Sequence, residues 1–330
     1  MSNRTDTSVD LIERLLDPVD RRTFLDRYWE REWLHVARDD AGWFADLFGV
    51  DELDRLLADV RLPATNLDLA QDSTPLPKGA YAADGFVDLA SVMKLHADGA
   101  TIILRSLEQW CRPLDDLTRA ATATFGTPSQ INVYATPPAN QSTPPHWDTH
   151  DLFILQVHGE KVWNLYDADH ELPLEDERFD ASTFSVGPLR EKVLLRPGDV
   201  LYLPRGTIHE PQADTYSIHV SLGLIVTRLA DVLVEMVRLA ARHVPELRRG
   251  LPPALAGVPQ AKVEAELVDA MRQLASRDVA EVVLRHREVG VASARPPHDD
   301  RLVGDLPLAA GERAPFVEGL VRAGLLVTDG

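Results

Sequence analysis

Three side chains suited to hold a divalent metal stand in two blocks of the chain. The first block, Thr143-Pro144-Pro145-His146-Trp147-Asp148, puts an imidazole and a carboxylate two residues apart. On extended backbone the side chains at i and i+2 project from one face, so His146 and Asp148 meet at one point if they lie in a sheet wall. The second block, Gly198-Asp199-Val200-Leu201-Tyr202-Leu203-Pro204-Arg205-Gly206-Thr207-Ile208-His209, runs an apolar strand into a Pro-Gly turn and delivers His209 to the same cavity. Two imidazoles and one carboxylate on one side of a metal leave adjacent positions open, as a non-haem Fe(II) oxygenase needs to hold a co-substrate and O₂ together. A four-ligand structural site has no such opening. A lone His-x-Asp recurs by chance, and the second block is what lifts it above chance.

Those blocks need a β scaffold. From Gln130 to Val226 the chain is a series of short β-branched and aromatic runs, INVYAT, DLFILQV, KVWNLYD, EKVLL, DVLYLP and YSIHVSLGLIV, separated by Pro, Gly and acidic turns. Such runs predict a sandwich or small barrel. Before them, Val9 to Leu57 carries apolar residues at helical spacing, and Trp33–Val36, Val60–Leu62 and Thr101–Leu104 read as short strands. Gln71 to Gly85 and Asp167 to Gly187 are long for loops and are candidate lids. After Thr227 the period is helical again, and Val291 to Gly330 reads as helix then strand. The expected organisation is a barrel domain with N-terminal helices over residues 1–226, a helical region over 227–290 and a small winged-helix-like module over 291–330.

Composition narrows the function classes. The 330 residues carry 34 basic and 52 acidic side chains, a net charge of −18, which repels phosphate backbones and makes nucleic acid a poor default partner. A single cysteine, Cys111, excludes a disulfide framework and suits a reducing cytoplasm. Neither a signal-peptide core nor a membrane-spanning run is visible, so the expectation is an unexported chain with no membrane partner.

The second block also fits the cupin spacing Gly-x₅-Pro-x-Gly-x₂-His, from Gly198 to His209. With INVYATPPANQSTPPHWDTHDLFILQVHGEKVWNLY and RPGDVLYLPRGTIHEP, the chain resembles the JmjC-type cupin Fe(II)/2-oxoglutarate hydroxylases, in the branch of the ribosomal-protein oxygenases. The resemblance runs from about Gln130 to Gly223 and is looser outside it. It implies a mainly β, α+β fold built on a double-stranded β-helix. It also implies Fe(II), 2-oxoglutarate and O₂ as reactants, with His146, Asp148 and His209 as metal ligands. Lys161 falls where the family keeps a basic residue for the distal co-substrate carboxylate, and a buried carboxylate must be paired. Asn132, Tyr134 and Ser221 match positions lining the same pocket. The family hydroxylates protein side chains, so a protein or peptide substrate is expected, with a small molecule or biosynthetic peptide as the alternative. His-x-Asp in place of His-x-Glu favours hydroxylation over lysine demethylation by the same association. In the family the helices after the barrel form a dimerisation module, so the resemblance implies a homodimer, while intramolecular packing is the plainer reading of their apolar stripes.

Each residue has a plainer reading. Lys161 fits a solvated turn and Asn132 an edge position. His150 suits a pocket lining and His219 a satisfied interior histidine, while His158 and His170 belong to solvated turns. Trp147 and Trp163 are expected to fill core. The acidic run from Asp167 to Asp180 is ordinarily a solvated loop, though near a barrel mouth it attracts a cationic substrate group. Two rival functions follow, a metal-binding cupin without redox chemistry and a non-catalytic interaction protein. Three intact ligands weigh against the second.

Overall fold

The short β-branched runs pair into two antiparallel sheets that face each other. The computed structural model describes residues 7–138, 140–141, 143–242, 244–248, 268–269 and 272. The chain divides into two compact units, one of Met1–Thr122 with Pro128–Val226 and one of Ala123–Thr127 with Thr227–Gly330.

In the first unit the strands are β1 (Leu34–Val36), β2 (Leu67–Gln71), β3 (Thr74–Pro75), β4 (Ala82–Ala83), β5 (Phe86–Val87), β6 (Thr101–Leu104) and β7 (Ser129–Thr136). They continue as β8 (Asn140–Gln141), β9 (Asp151–His158), β10 (Lys161–Tyr166), β11 (Leu189–Leu195), β12 (Val200–Leu203), β13 (Ile208–Ala213) and β14 (Ser217–Leu224). The larger sheet has the order β1-β12-β9-β14-β7-β6-β2-β3, and the smaller one β11-β10-β13-β8. Helices α1 (Thr7–Leu16), α2 (Arg21–Thr23), α3 (Val50–Asp59), α4 (Leu89–Ala97) and α5 (Arg112–Phe125) precede the main strands. This is the expected α+β barrel.

Between the sheets lies a core of Leu152, Ile154, Trp163, Leu165, Val193, Leu195, Leu201 and Leu203. Ile154 on β9 stands opposite Ser221 on β14, which stands opposite Asn132 on β7. Directly paired residues share a sheet face, so Asn132, Tyr134 and Thr136 look inward with Ser221, His219 and Ser217. By the same parity Lys161, Trp163 and Leu165 face inward from β10, and His209, the register partner of Leu165, from β13. The strand pattern thus decides which polar residues line the barrel.

Two local expectations fail. Val60–Leu62 is not a strand, because Val60 caps α3, and the pairing partner of β6 is β2 instead. The Gln71–Gly85 stretch is not an open loop. It carries β3, which closes a hairpin on β2, and β4, which pairs with β5. Its Lys78 donates to Asp68 at 2.7 Å and to the Ala64 carbonyl. Among the described residues no helix is long and apolar enough to cross a membrane.

In the second unit the described elements are α6 (Leu229–Ala240) and a 3₁₀ turn over Pro245–Arg248. The winged-helix-like module expected over 291–330 lies outside the described residues, as does most of the helical region from 249 to 290.

Candidate active site

His146, Asp148 and His209 come together, with one ligand atom from each lying within 4.8 Å of the others. The route differs from the sequence expectation. His146 and Asp148 are not on a named strand but in the connection from β8 to β9. An isolated antiparallel bridge holds that connection in place. The His146 N–H donates to the His209 carbonyl at 3.1 Å, and the His209 N–H returns to the His146 carbonyl at 2.8 Å. The Gly206 N–H donates to the Asp148 carbonyl at 3.1 Å, so both blocks are stitched through backbone.

The side chains are oriented for coordination. His146 Nδ1–H donates to the Pro144 carbonyl at 2.8 Å, and His209 Nδ1–H to the Thr207 carbonyl at 2.9 Å. With Nδ1 used as donor, each neutral ring keeps its lone pair on Nε2. Those nitrogens stand 4.0 and 3.6 Å from Asp148 Oδ2. Burial, reinforced by the neighbouring His146, pulls His209 down to about 4, so it is a neutral ligand at physiological pH. Burial alone would raise Asp148, but His146, His150, His209 and Arg105 together hold its carboxyl below the usual range. An anionic oxygen and two lone-pair nitrogens are the donor set that Fe(II) accepts.

A second feature lies deeper in the barrel. Lys161 is fully buried and crosses between the sheets, donating to Thr136 Oγ1 at 2.9 Å, with His219 Nδ1 at 3.4 Å. No carboxylate pairs with it among the described residues, and burial pulls its ammonium down to about 7. A buried lysine without a counter-charge fits an anionic ligand. Tyr134, pushed up to about 12 by burial and then by the charge of Asp148, remains a phenol able to donate. Asn132 Oδ1 accepts from the Ser106 N–H at 3.2 Å, and Ser221 stands opposite it, nearly buried. All seven residues singled out in the sequence therefore lie at or around one interior.

His150 stays outside the ligand trio. Its ring packs against Gly223, where a Cβ would come within 2.7 Å of His150 Cδ2. His170 lies in a loop as expected but is only partly solvated, its side chain 31% exposed. Its ring stacks on Trp147 at 5.3 Å and its Nε2 lies 3.1 Å from Glu177 Oε2.

Trp147, between the two candidate ligands, is buried and faces the Asp167–Gly187 segment. Its Nε1–H donates to the Glu177 carbonyl at 3.1 Å, and Phe179 and Phe184 meet its ring edge-on at 5.0 and 4.5 Å. The same segment abuts Gly206, at φ +85°, where a Cβ would meet Pro173 Cδ at 2.7 Å. It therefore braces both ligand-bearing blocks and is no free lid. Trp147→Ala is expected to cost ~3 kcal/mol of stability and to weaken metal binding by ~10-fold, as loss of an outer support does. Denaturant melts and metal titration read the two effects, and limited proteolysis is expected to cut first within residues 167–187.

Sequence reasoning missed three contributors. Asp151 is fully buried and accepts from Tyr202 Oη at 2.7 Å and from the Arg205 N–H at 3.0 Å, tying the end of one block to the other. Its carboxyl is raised by burial. Arg105, hydrogen-bonded to Asp68, adds positive charge near Asp148 and Tyr134. Thr136 could have been read from its parity with Asn132 and Tyr134, whereas Asp151 and Arg105 carry no local signal.

Residues 108–232 match the JmjC domain family. Over 259 residues the chain is 30% identical to Ribosomal oxygenase 2 of Mus musculus, covering 75% of this chain and 55% of that protein. It is 32% identical to Ribosomal oxygenase 1 of Homo sapiens over 259 residues, covering 73% and 39%. The protein of Drosophila mojavensis described as bifunctional lysine-specific demethylase and histidyl-hydroxylase NO66 is 28% identical over 298 residues, covering 84% and 33%. The chain thus spans between a third and just over half of the length of these curated relatives. The crystal structure of Escherichia coli ribosomal oxygenase YcfD shares the fold, with a TM-score of 0.52 at 16% identity over 89% of this chain and 76% of that one.

Proposed function

We propose that this chain, whose residues 108–232 match the JmjC domain family, is an Fe(II)- and 2-oxoglutarate-dependent oxygenase that hydroxylates a C–H bond of a protein or peptide side chain. The observation that carries this reading is the meeting of His146, Asp148 and His209, with both imidazoles turned so that Nε2 is free. Fe(II) bound by these residues supplies, with 2-oxoglutarate and O₂, the oxidising power to insert one oxygen atom into C–H, with succinate and CO₂ as co-products.

The protein's own residues do the rest. His146, Asp148 and His209 would hold the metal from one side, and the backbone bridge between the two blocks keeps them in register. Lys161 would pair with the distal carboxylate of 2-oxoglutarate, exchanging an unpaired buried cation for an ion pair. Asn132, Tyr134 and Ser221 offer polar atoms along the same wall, and the apolar core beneath them limits water. The relatives described as ribosomal oxygenases and histidyl-hydroxylases support a protein substrate.

A cytoplasmic setting and a homodimer belong to the same proposal. Leu229, Leu233, Val234 and Val237, exposed on α6, support a second copy. We read residues 1–226 as the oxygenase domain, 227–290 as the helical region that would carry dimer contacts and 291–330 as a further module.

Incubation of the protein with Fe(II), 2-oxoglutarate and O₂ is expected to release succinate, and a hydroxylated peptide to gain the mass of one oxygen atom. Turnover supported by Zn(II) without 2-oxoglutarate would sink the reading in favour of a non-redox cupin. Loss of a methyl group from the peptide would reject hydroxylation as the outcome.

A further inference from the structure

His219 is 2% exposed on β14, two residues from Ser221. Its ring lies parallel to Tyr134, at 4.7 Å and 7°, and meets Trp163 at 5.4 Å and 79°. Those two rings fix the plane of the imidazole. Its Nδ1 stands 3.4 Å from Lys161 Nζ. With Lys161 in its ammonium form, which holds below about pH 7 in the empty barrel, Nζ only donates, so Nδ1 accepts, and a neutral imidazole that accepts at Nδ1 carries its proton on Nε2. Burial, and next the charge of Lys161, hold His219 well below the usual histidine range, so the ring is neutral.

Two donors are then left over. Lys161 has three N–H bonds, of which Thr136 and His219 take two, and the third has no acceptor among the described residues. The His219 Nε2–H likewise has none. The His219 Nε2 is not among the fully enclosed polar atoms that lack a partner, so its N–H, like the third of Lys161, is a donor that a ligand in the barrel can receive. Both donors come from side chains that face the barrel interior, and a carboxylate offers several lone pairs to receive them.

We infer that His219 is a positioning and binding residue of the co-substrate pocket, which aims the Lys161 ammonium and presents its own Nε2–H to the same dicarboxylate. This rests on the reading of the barrel as a 2-oxoglutarate site. With Lys161 held from two sides by neutral acceptors, its free N–H points in one direction. The pocket is thereby tuned to the length of the dicarboxylate as well as to its charge. A lysine relieved of His219 would swing and accept a longer chain.

The test uses the full chain loaded with Mn(II), titrated calorimetrically with 2-oxoglutarate and with its one-carbon-longer homologue 2-oxoadipate. His219→Phe keeps an aromatic ring between Tyr134 and Trp163 but removes both nitrogens. It is expected to weaken 2-oxoglutarate binding by ~10-fold or more, the effect of losing a hydrogen bond to a charged group. It is also expected to shrink the preference over 2-oxoadipate while Mn(II) affinity is unchanged. His219→Gln, which keeps an acceptor and a donor, is expected to recover part of both.

Nitrogen NMR of the Zn(II)-loaded wild-type protein gives a second reading that needs no variant. At pH 6, where Lys161 is an ammonium, His219 is expected to show the Nε2–H tautomer and a shift on adding 2-oxoglutarate. An Nδ1–H tautomer overturns the inference. So does a His219→Phe protein that binds 2-oxoglutarate with wild-type affinity and preference, and in that case the co-substrate reading survives. Wild-type protein that takes up Mn(II) but no 2-oxoglutarate overturns both.

Discussion

Asp148→Ala protein is expected to lose its metal and to form no succinate above background, while its metal-free form melts as the wild type does. Of the three ligands only Asp148 brings a negative charge, and the surrounding His146, His150, His209 and Arg105 keep it ionised against the pull of burial. Without that charge the divalent ion meets two neutral imidazoles and the open side. The loss in affinity should exceed the roughly 10–100-fold that follows removal of a mere outer partner. Folding has little stake in the residue, because the Asp148 side chain is 32% exposed and its nearest imidazole partner, His209, is uncharged. The change in metal-free stability should stay within ~1 kcal/mol. Asp148→Glu keeps the donor type on a longer stem and is expected to bind metal with intermediate strength. Metal titration with denaturant melts separates these effects. Wild-type succinate formation in Asp148→Ala protein would remove the ligand assignment altogether.

Lys161→Met is expected to act in opposite directions on function and on folding. Loss of the buried cation should weaken 2-oxoglutarate binding by upwards of ~30-fold, the lower end of what removing one partner of a buried charge pair costs. The same change should stabilise the ligand-free protein by ~1–4 kcal/mol, because an unpaired buried charge gives way to an apolar chain of similar size. The pH dependence has a definite sign. Burial takes Lys161 from 10.5 to about 7, so between those values the unfolded chain holds a proton that the folded chain has released. Wild-type stability from this group therefore rises with pH across that window. The advantage of methionine is full below pH 7 and shrinks toward pH 10.5. Thermal melts of both proteins at pH 6 and pH 9 measure it. Binding of 2-oxoglutarate to wild-type protein should weaken as pH is raised above about 7, because the empty pocket then holds a neutral amine. A methionine variant less stable than wild type at pH 6 would show that the ammonium has a counter-charge in the empty barrel.

Several parts of the site were legible in the residues. Asn132 and Tyr134 lie two residues apart on one strand, so the face they share followed from a period of two, whereas Lys161 was placed by the family resemblance. His209 followed from a Pro-Gly turn at the end of an apolar run. Other parts were hidden for physical reasons. The His146–Asp148 spacing suggested a strand, yet the segment has only one bridge, between His146 and His209, because its remaining support comes from Trp147 and the Asp167–Gly187 brace. His170 looked like a turn residue, since nothing nearby in sequence announces the indole it stacks on. Asp151 reads as the first residue of a strand, and only the approach of Tyr202 and Arg205 makes it a buried tie between the blocks.

What the chain's order of residues determined by itself was the inventory, two imidazoles and a carboxylate in two blocks beside β-forming segments, and by parity the common face of Asn132 and Tyr134. Local backbone preference suffices for that, because alternation is a property of consecutive residues. What only the tertiary structure decided was how the groups are tuned. The unmatched charge of Lys161 and the proton position on His219 depend on partners tens of residues away, whereas each ligand imidazole is turned by a carbonyl two residues back and needs the fold only to bring the two blocks together. Burial and hydrogen bonding act through space, and only the folded chain brings those partners within reach.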